Sequence, residues 1–182
     1  MDNYLSQIIE ELSINAQQIN LTEIKELTSA IRSANHIFLK GAGRSGLVVQ
    51  AFANRLLHLG FQVSVVGEIS SPRSQKGDLL IICSSSGETT SLVSLAKKAN
   101  QQGVKIALIT NNQKSSIGEL ASAIIHLGTD SKNQKDTFGF TQAMGTAFEQ
   151  LAFILFDSIV LKLMDQLQES SQSMAQRHAD LE

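Results

Sequence analysis

The sequence predicts an α/β domain in which a largely parallel sheet carries helices on both faces. Three observations lead there. Short apolar runs of strand length alternate with segments of helical period, the pattern of repeated β-α units. Two loops rich in glycine and serine, Lys40–Gly46 and Cys83–Thr89, each follow an apolar run and open a helix-like segment. The chain has 182 residues, enough for one full hydrophobic core, and neither an internal repeat nor a linker interrupts it, so residues 1–182 read as one domain.

In order, Leu5, Ile8, Ile9 and Leu12 give residues 4–19 a helical spacing. Thr22 is the expected N-cap of a second helix running to Ala34, with Glu23 favouring its positive end. Residues 36–39 change period and read as the first strand. After the loop 40–46 a helix runs to about Leu59 and stops at Gly60. Residues 62–66 and 78–83 are the next strands, separated by a loop with the only proline, Pro72. A helix from Ser91 to Gln101 and a strand over 104–109 follow. Ser116 and Glu119 have capping-box spacing for a short helix. Residues 123–127 form a fifth strand. Residues 128–140 are a long polar connection, and such connections often serve function. A long amphipathic helix spans about 141–168, with Phe148, Leu151, Leu155, Ile159 and Leu163 on a core or subunit-facing side, and a polar tail ends the chain.

Composition narrows the function. The net charge is −2 and no basic stripe appears, which argues against nucleic acid as a partner. No apolar run is long enough to span a bilayer, so no membrane partner is expected. Residues 1–4 lack signal-peptide character, and the single cysteine, Cys83, suits a reducing cytoplasm. Cys83 ends an apolar strand with no evident base nearby, so it reads as a small buried hydrophobe.

The chemistry concentrates in the two loops. The first N–H groups of a helix lack intrahelical partners, and the dipole there favours negative charge. Ser84, Ser85, Ser86 and Thr89 add hydroxyls suited to phosphate oxygens. No lysine lies inside this loop, so it is not the phosphate loop of an NTPase and suits a phosphate that is held rather than transferred. Gly41-Ala42-Gly43-Arg44-Ser45-Gly46 also fits a dinucleotide fingerprint, with Glu68 where a ribose-binding acid would sit. On spacing alone, a dinucleotide and a small anion are equal readings. The second loop would have no duty in the former, whereas two anion-friendly loops at neighbouring strand ends suit one phosphorylated ligand. Arg44 can grip phosphate or sugar oxygens with two N–H groups, and Ser45 can donate a hydroxyl. Glu88 reads as a first-turn acid favouring the helix dipole.

These residues resemble the sugar isomerase (SIS) domain family, and within it the 6-phospho-3-hexuloisomerases. The resemblance is carried by Gly41–Leu47, Arg55–Phe61, Val66–Glu68, Gly77–Leu79, Ser84–Thr89, Met144–Gln150 and the ending Arg177–Glu182, in order along almost the whole chain. The departures are Ser85 where the family alternates glycine and serine, Ala143 for proline, Ala147 for leucine, and Ser71 for threonine before Pro72.

The resemblance implies a three-layer α-β-α, flavodoxin-like fold on a five-stranded parallel sheet, assembled as a homotetramer or dimer. It implies interconversion of D-arabino-hex-3-ulose 6-phosphate and D-fructose 6-phosphate, in the ribulose monophosphate route of formaldehyde fixation. Moving a carbonyl from C3 to C2 through an enediol requires no metal or organic cofactor. Glu149 matches the family's base, and His58 and His178 match groups assigned to acid–base help or ring opening. Without the resemblance, Glu149 would read as a paired helix carboxylate, His58 as packing at a helix end and His178 as a solvated tail residue. Arg44, Ser45, Ser84, Ser86, Thr89 and Glu68 form the implied phosphate and sugar set. His36 and His126 are assigned no function.

Overall fold

The computed structural model describes residues 3–129 and 142–180. Two helices, α1 (Tyr4–Gln17) and α2 (Leu21–Ser33), precede the first strand. Then come β1 (Ile37–Gly41), α3 (Arg44–His58), β2 (Val63–Val65), β3 (Leu79–Cys83), α4 (Thr90–Gln101), β4 (Lys105–Thr110) and β5 (Ala123–His126). A 3-10 turn, Ala143–Gly145, leads into the long helix α5 (Thr146–Leu167), and a short α6 (Ser171–Ala175) follows. The five strands pair in the order β2-β1-β3-β4-β5, all parallel.

Both sheet faces are buried, and the period of two divides the strand residues between them. Ile37, Leu39, Leu79, Ile81, Cys83, Ala107 and Ile109 face one core, shared with α2, α3 and α5. Phe38, Leu80, Ile82, Ile106 and Leu108 face the other, shared with α4 and the Gly118–Leu120 turn. On the first face Phe52 of α3 stacks on Phe156 of α5, with ring centroids 4.2 Å apart. The apolar stripe expected on α5 is buried along its length.

Several boundaries differ from expectation. Asn20, not Thr22, caps α2: its side-chain oxygen accepts from the Thr22 N–H at 2.9 Å. The capping box at Ser116–Glu119 does not form. The Ser115 hydroxyl accepts from the Gly118 N–H instead, and only a 3-10 turn results. The long helix starts at Thr146, because Met144 and Gly145 both have left-handed backbone, φ 57 and 78. The tail is partly helical: the Ser170 and Ser173 side chains cap each other's backbone, which starts α6. Thr141, residues 130–140 and the final Leu181–Glu182 lie outside the described residues.

Gly41 fixes how β1 hands over to α3. A Cβ there would lie 2.6 Å from the Ser45 carbonyl oxygen, a backbone atom that cannot turn away. Replacing Gly41 with alanine is expected to destabilise the protein by about 1–3 kcal/mol through overpacking. Urea unfolding checks this, and an unchanged midpoint would contradict it.

Candidate active site

The parallel register sets the carboxyl ends of β1, β3 and β4 level: Gly41 pairs with Cys83, and Cys83 with Ile109. The loops beyond these strands meet around a cleft of about 390 Å³, lined by Ala42, Ser45, Ser84, Ser85, Ser86, Thr89, Asn111 and Asn112 over Cys83 and Leu92. Both Gly/Ser loops singled out in the sequence therefore share one pocket.

Three helices start at this end of the sheet. α3 is preceded by Gly43, α4 by Thr89 and α5 by Gly145, and among the described residues none has a side chain bonded to its first N–H groups. Those groups remain available to an anion at the positive ends of the helix dipoles. The hydroxyl oxygens of Ser84 and Ser86 accept from the N–H groups of Gly87 and Glu88, at 3.2 and 3.1 Å, which orients both side chains. An oxygen that accepts in this way still has its own O–H to give to a phosphate.

The β4 loop braces this wall. The Asn111 amide donates to the Ser85 and Thr129 hydroxyls, at 3.1 and 2.9 Å, and its oxygen accepts from Thr129 N–H at 3.1 Å. Thr110 Oγ1 and Asn111 N–H both donate to the Ser85 carbonyl. Ser85, the departure from the family pattern, is thus engaged by Asn111. Glu88 does not lie in the first turn of α4; it precedes the N-cap, and its carboxylate accepts from Ser116 N–H at 2.7 Å. Hydrogen bonds from Ser116 hold that carboxyl below its ordinary range. His126 Nε2 meets the Asn111 carbonyl at 3.0 Å, a supporting contact. Asn111 and Asn112 escaped the sequence reading, although they sit at the carboxyl end of a strand, the position that singled out the other two loops.

Glu149 stands in the first turn of α5 and faces Arg44, the first residue of α3, with Nε 2.5 Å from Oε2. The carboxylate is largely removed from water, 15% exposed, while Arg44 is 62% exposed. The charges face each other without hydrogen-bond alignment, so buried Oε2 has no N–H or O–H aimed at it among the described residues. A second tie reaches the start of α5: Gln142, the residue before the 3-10 turn, donates its amide to buried Glu11 of α1 at 2.9 Å. Glu149 also lies close enough to Cys83 for its charge to be felt there. Burial, first, pushes the Cys83 thiol up to about 12, Glu149 pushes the same way, and a hydrogen bond to Ser45 opposes them.

The remaining sequence candidates lie elsewhere in the chain. His58 ends α3, 14 residues beyond Arg44, or about 21 Å along the helix axis. It is buried and stacks on His178, with ring centroids 5.1 Å apart. Glu68 is exposed and lines a separate groove with Gln50, Asn54 and Leu57 on the flank of α3. One chain thus unites Arg44, Ser45, Ser84, Ser86, Thr89 and Glu149 at one end of the sheet, and His58 with His178 at the other end of α3.

Together the fold and cleft describe an α/β domain whose helix starts and hydroxyls suit an anion, with a shielded carboxylate at the start of α5. The model of the SIS domain matches residues 30–154. A Bacillus subtilis protein named 3-hexulose-6-phosphate isomerase is 42% identical over 180 residues, covering 98% of this chain and 97% of its own. A protein of the same name from Methylomonas aminofaciens is 41% identical over 158 residues, 86% of each chain. The crystal structure of a Methanococcus jannaschii protein, described as implying 3-hexulose-6-phosphate isomerase function, superimposes with TM-score 0.86 at 31% identity over 100% of both chains. This chain belongs to the SIS domain family.

Cys83 is fully buried and its thiol is pushed up to about 12, so it is expected to resist Ellman's reagent at pH 8 in the native protein and to react once unfolded. Prompt labelling of the native protein would contradict that placement.

Proposed function

We propose that this chain is a 3-hexulose-6-phosphate isomerase, interconverting D-arabino-hex-3-ulose 6-phosphate and D-fructose 6-phosphate in the cytoplasm, in the ribulose monophosphate route of formaldehyde fixation. The observation that carries the reading is Glu149: a shielded carboxylate at a helix start, beside a cleft built for a phosphate. Its similarity to isomerases of that name runs the length of the chain.

The phosphate sits against the starts of α3 and α4, taking hydroxyls from Ser45, Ser84, Ser86 and Thr89. Glu149 removes the proton from C2 of the 3-ulose. The electrons of that C–H bond form the C2–C3 double bond of the enediol, and the O3 carbonyl oxygen gains a proton. Collapse of the enediol leaves the carbonyl at C2 as O2 loses its proton, and Glu149 returns its proton to C3. The reaction is redox-neutral within the sugar and requires no cofactor. While Arg44 faces Oε2, that oxygen is not open to a substrate proton. The exposed guanidinium can turn to the sugar oxygens when substrate binds, which frees the base.

The assembly we propose is a homotetramer. In its support, Leu47 and Leu57 on α3, Phe153, Ile154 and Leu161 on α5, and Tyr4, Leu5 and Ile9 on α1 are exposed apolar side chains, and α1 and α3 both pack on α5. Assembly also gives His58 and His178 a route to catalysis. A pair about 21 Å along α3 from Arg44 can serve a neighbouring chain's Glu149 as acid–base or ring-opening groups.

Glu149→Gln is expected to slow isomerisation about 10²–10⁴-fold, the usual contribution of a general base, while fructose 6-phosphate binding changes little. Turnover and calorimetric binding, with arabinose 5-phosphate as a competing substrate, check this. Binding without turnover by the unaltered protein would identify a sugar-phosphate sensor, and turnover of arabinose 5-phosphate alone would replace the substrate. A second test mixes subunits. Hybrid oligomers of Glu149→Gln and His178→Ala chains are expected to regain activity that neither parent has, and no recovery would contradict a site shared between chains.

A further inference from the structure

We propose that Arg177 is a positioning residue whose guanidinium clamps the C-terminal segment onto the end of α3 and holds His178 against His58. The proposal rests on the reading above, in which the two histidines serve the reaction. Arg177 makes two directed contacts. Nη1 donates to the His58 carbonyl at 3.0 Å, and Nη2 donates to Glu169 Oε1 at 2.9 Å. The last carbonyls of a helix have no intrahelical donor and carry its negative end, so a cation at His58 answers both deficits of α3. Lysine, a single point charge, cannot span the two acceptors as the planar fork does.

The surroundings fix the guanidinium. Glu169 also accepts from the Ser173 hydroxyl, and Ser173 shares the reciprocal cap with Ser170 that starts α6. Met174 of α6 is buried in the α3–α5 core, which seats the segment from below. Gly60, in left-handed backbone with φ 89, leaves the space beside Arg177: a Cβ there would lie 3.6 Å from Nε. The clamp thus ties three points together: the end of α3, Glu169 just beyond α5, and the residue next to His178.

That geometry also determines which nitrogen His178 offers. Its Nδ1 lies 2.9 Å from the Ala179 carbonyl oxygen. A carbonyl can only accept, so Nδ1 carries the proton and Nε2 of the neutral ring keeps its lone pair. With His58 stacked on its face at 28° between ring planes, His178 presents one oriented acceptor nitrogen from an exposed tail. The clamp thus restrains the residues beyond the buried anchor Met174, His178 among them.

The test compares Arg177→Ala, Arg177→Lys, Glu169→Gln and His178→Ala in the intact oligomer, by steady-state kinetics with 3-hexulose 6-phosphate and by NMR of the imidazoles. Arg177→Ala is expected to lower kcat about 10–100-fold with KM changed less than about threefold, the mark of misplaced groups and not of lost binding. Arg177→Lys and Glu169→Gln should fall between it and the unaltered protein. The ring-current shifts between His58 and His178 should collapse in step with kcat. A His178→Ala chain that is slowed beside an Arg177→Ala chain of normal kcat would overturn the clamp and leave the histidine assignment standing. A His178→Ala chain of normal kcat would overturn the histidine assignment and the clamp's catalytic purpose with it. Intact ring-current shifts in Arg177→Ala would overturn the clamp whatever the kinetics.

Discussion

The level register of β1, β3 and β4 is the constraint on which the site depends. Gly41, Cys83 and Ile109 lie side by side across the sheet, so the three following loops leave it at one height. A slip of one residue in any of these pairings would reverse which core each side chain enters, and each face carries a buried core. The packing that stabilises the sheet therefore also fixes the cleft. Gly41 makes the first turn tight enough for α3 to start over the sheet edge, and Gly87 performs a similar service in the second loop. A Cβ at Gly87 would lie 2.0 Å from the Ser115 hydroxyl.

The wall that faces the ligand is stiffened from behind. Asn111 and Thr110 hold both the backbone and side chain of Ser85, and Glu88 binds the next loop through Ser116. These contacts engage Ser85 and Glu88 and leave Ser84 and Ser86, whose oxygens accept from Gly87 and Glu88 N–H, lining the cleft. Arg44 and Glu149 form a contact between two helix starts and, in the proposed mechanism, a gate on the base. Arg44 is mostly exposed, so solvent screens their attraction and the pair adds little stability. Their importance is that the same guanidinium that occupies the carboxylate can be drawn off by sugar oxygens.

Much of this was legible in the sequence because it rests on local rules. Alternating apolar runs gave the strands, since both sheet faces are buried, and the two Gly/Ser loops announced themselves by composition. Asn111 did not, because a buried asparagine that organises a loop looks like any turn residue until its partners Ser85 and Thr129 are brought near. Asn20 took the capping role expected of Thr22 because its side chain reaches the Thr22 N–H from outside the helix. The Ser116–Glu119 box lost to tertiary contacts: Glu88 claimed the Ser116 N–H from 28 residues away. The separation of His58 from Glu149 follows from helix length, a property the sequence states plainly. Its consequence for the site appears only once both helix ends are placed on the sheet.

The central claim is that the shielded carboxylate of Glu149 moves a proton between two adjacent sugar carbons. Deuterium exchange tests it most directly. Fructose 6-phosphate incubated with the protein in D₂O and followed by NMR should gain deuterium at C3, the carbon deprotonated in the reverse reaction, and Glu149→Gln should abolish that exchange. Deuterium at C1 instead, or undiminished exchange at C3 in the variant, would contradict the account.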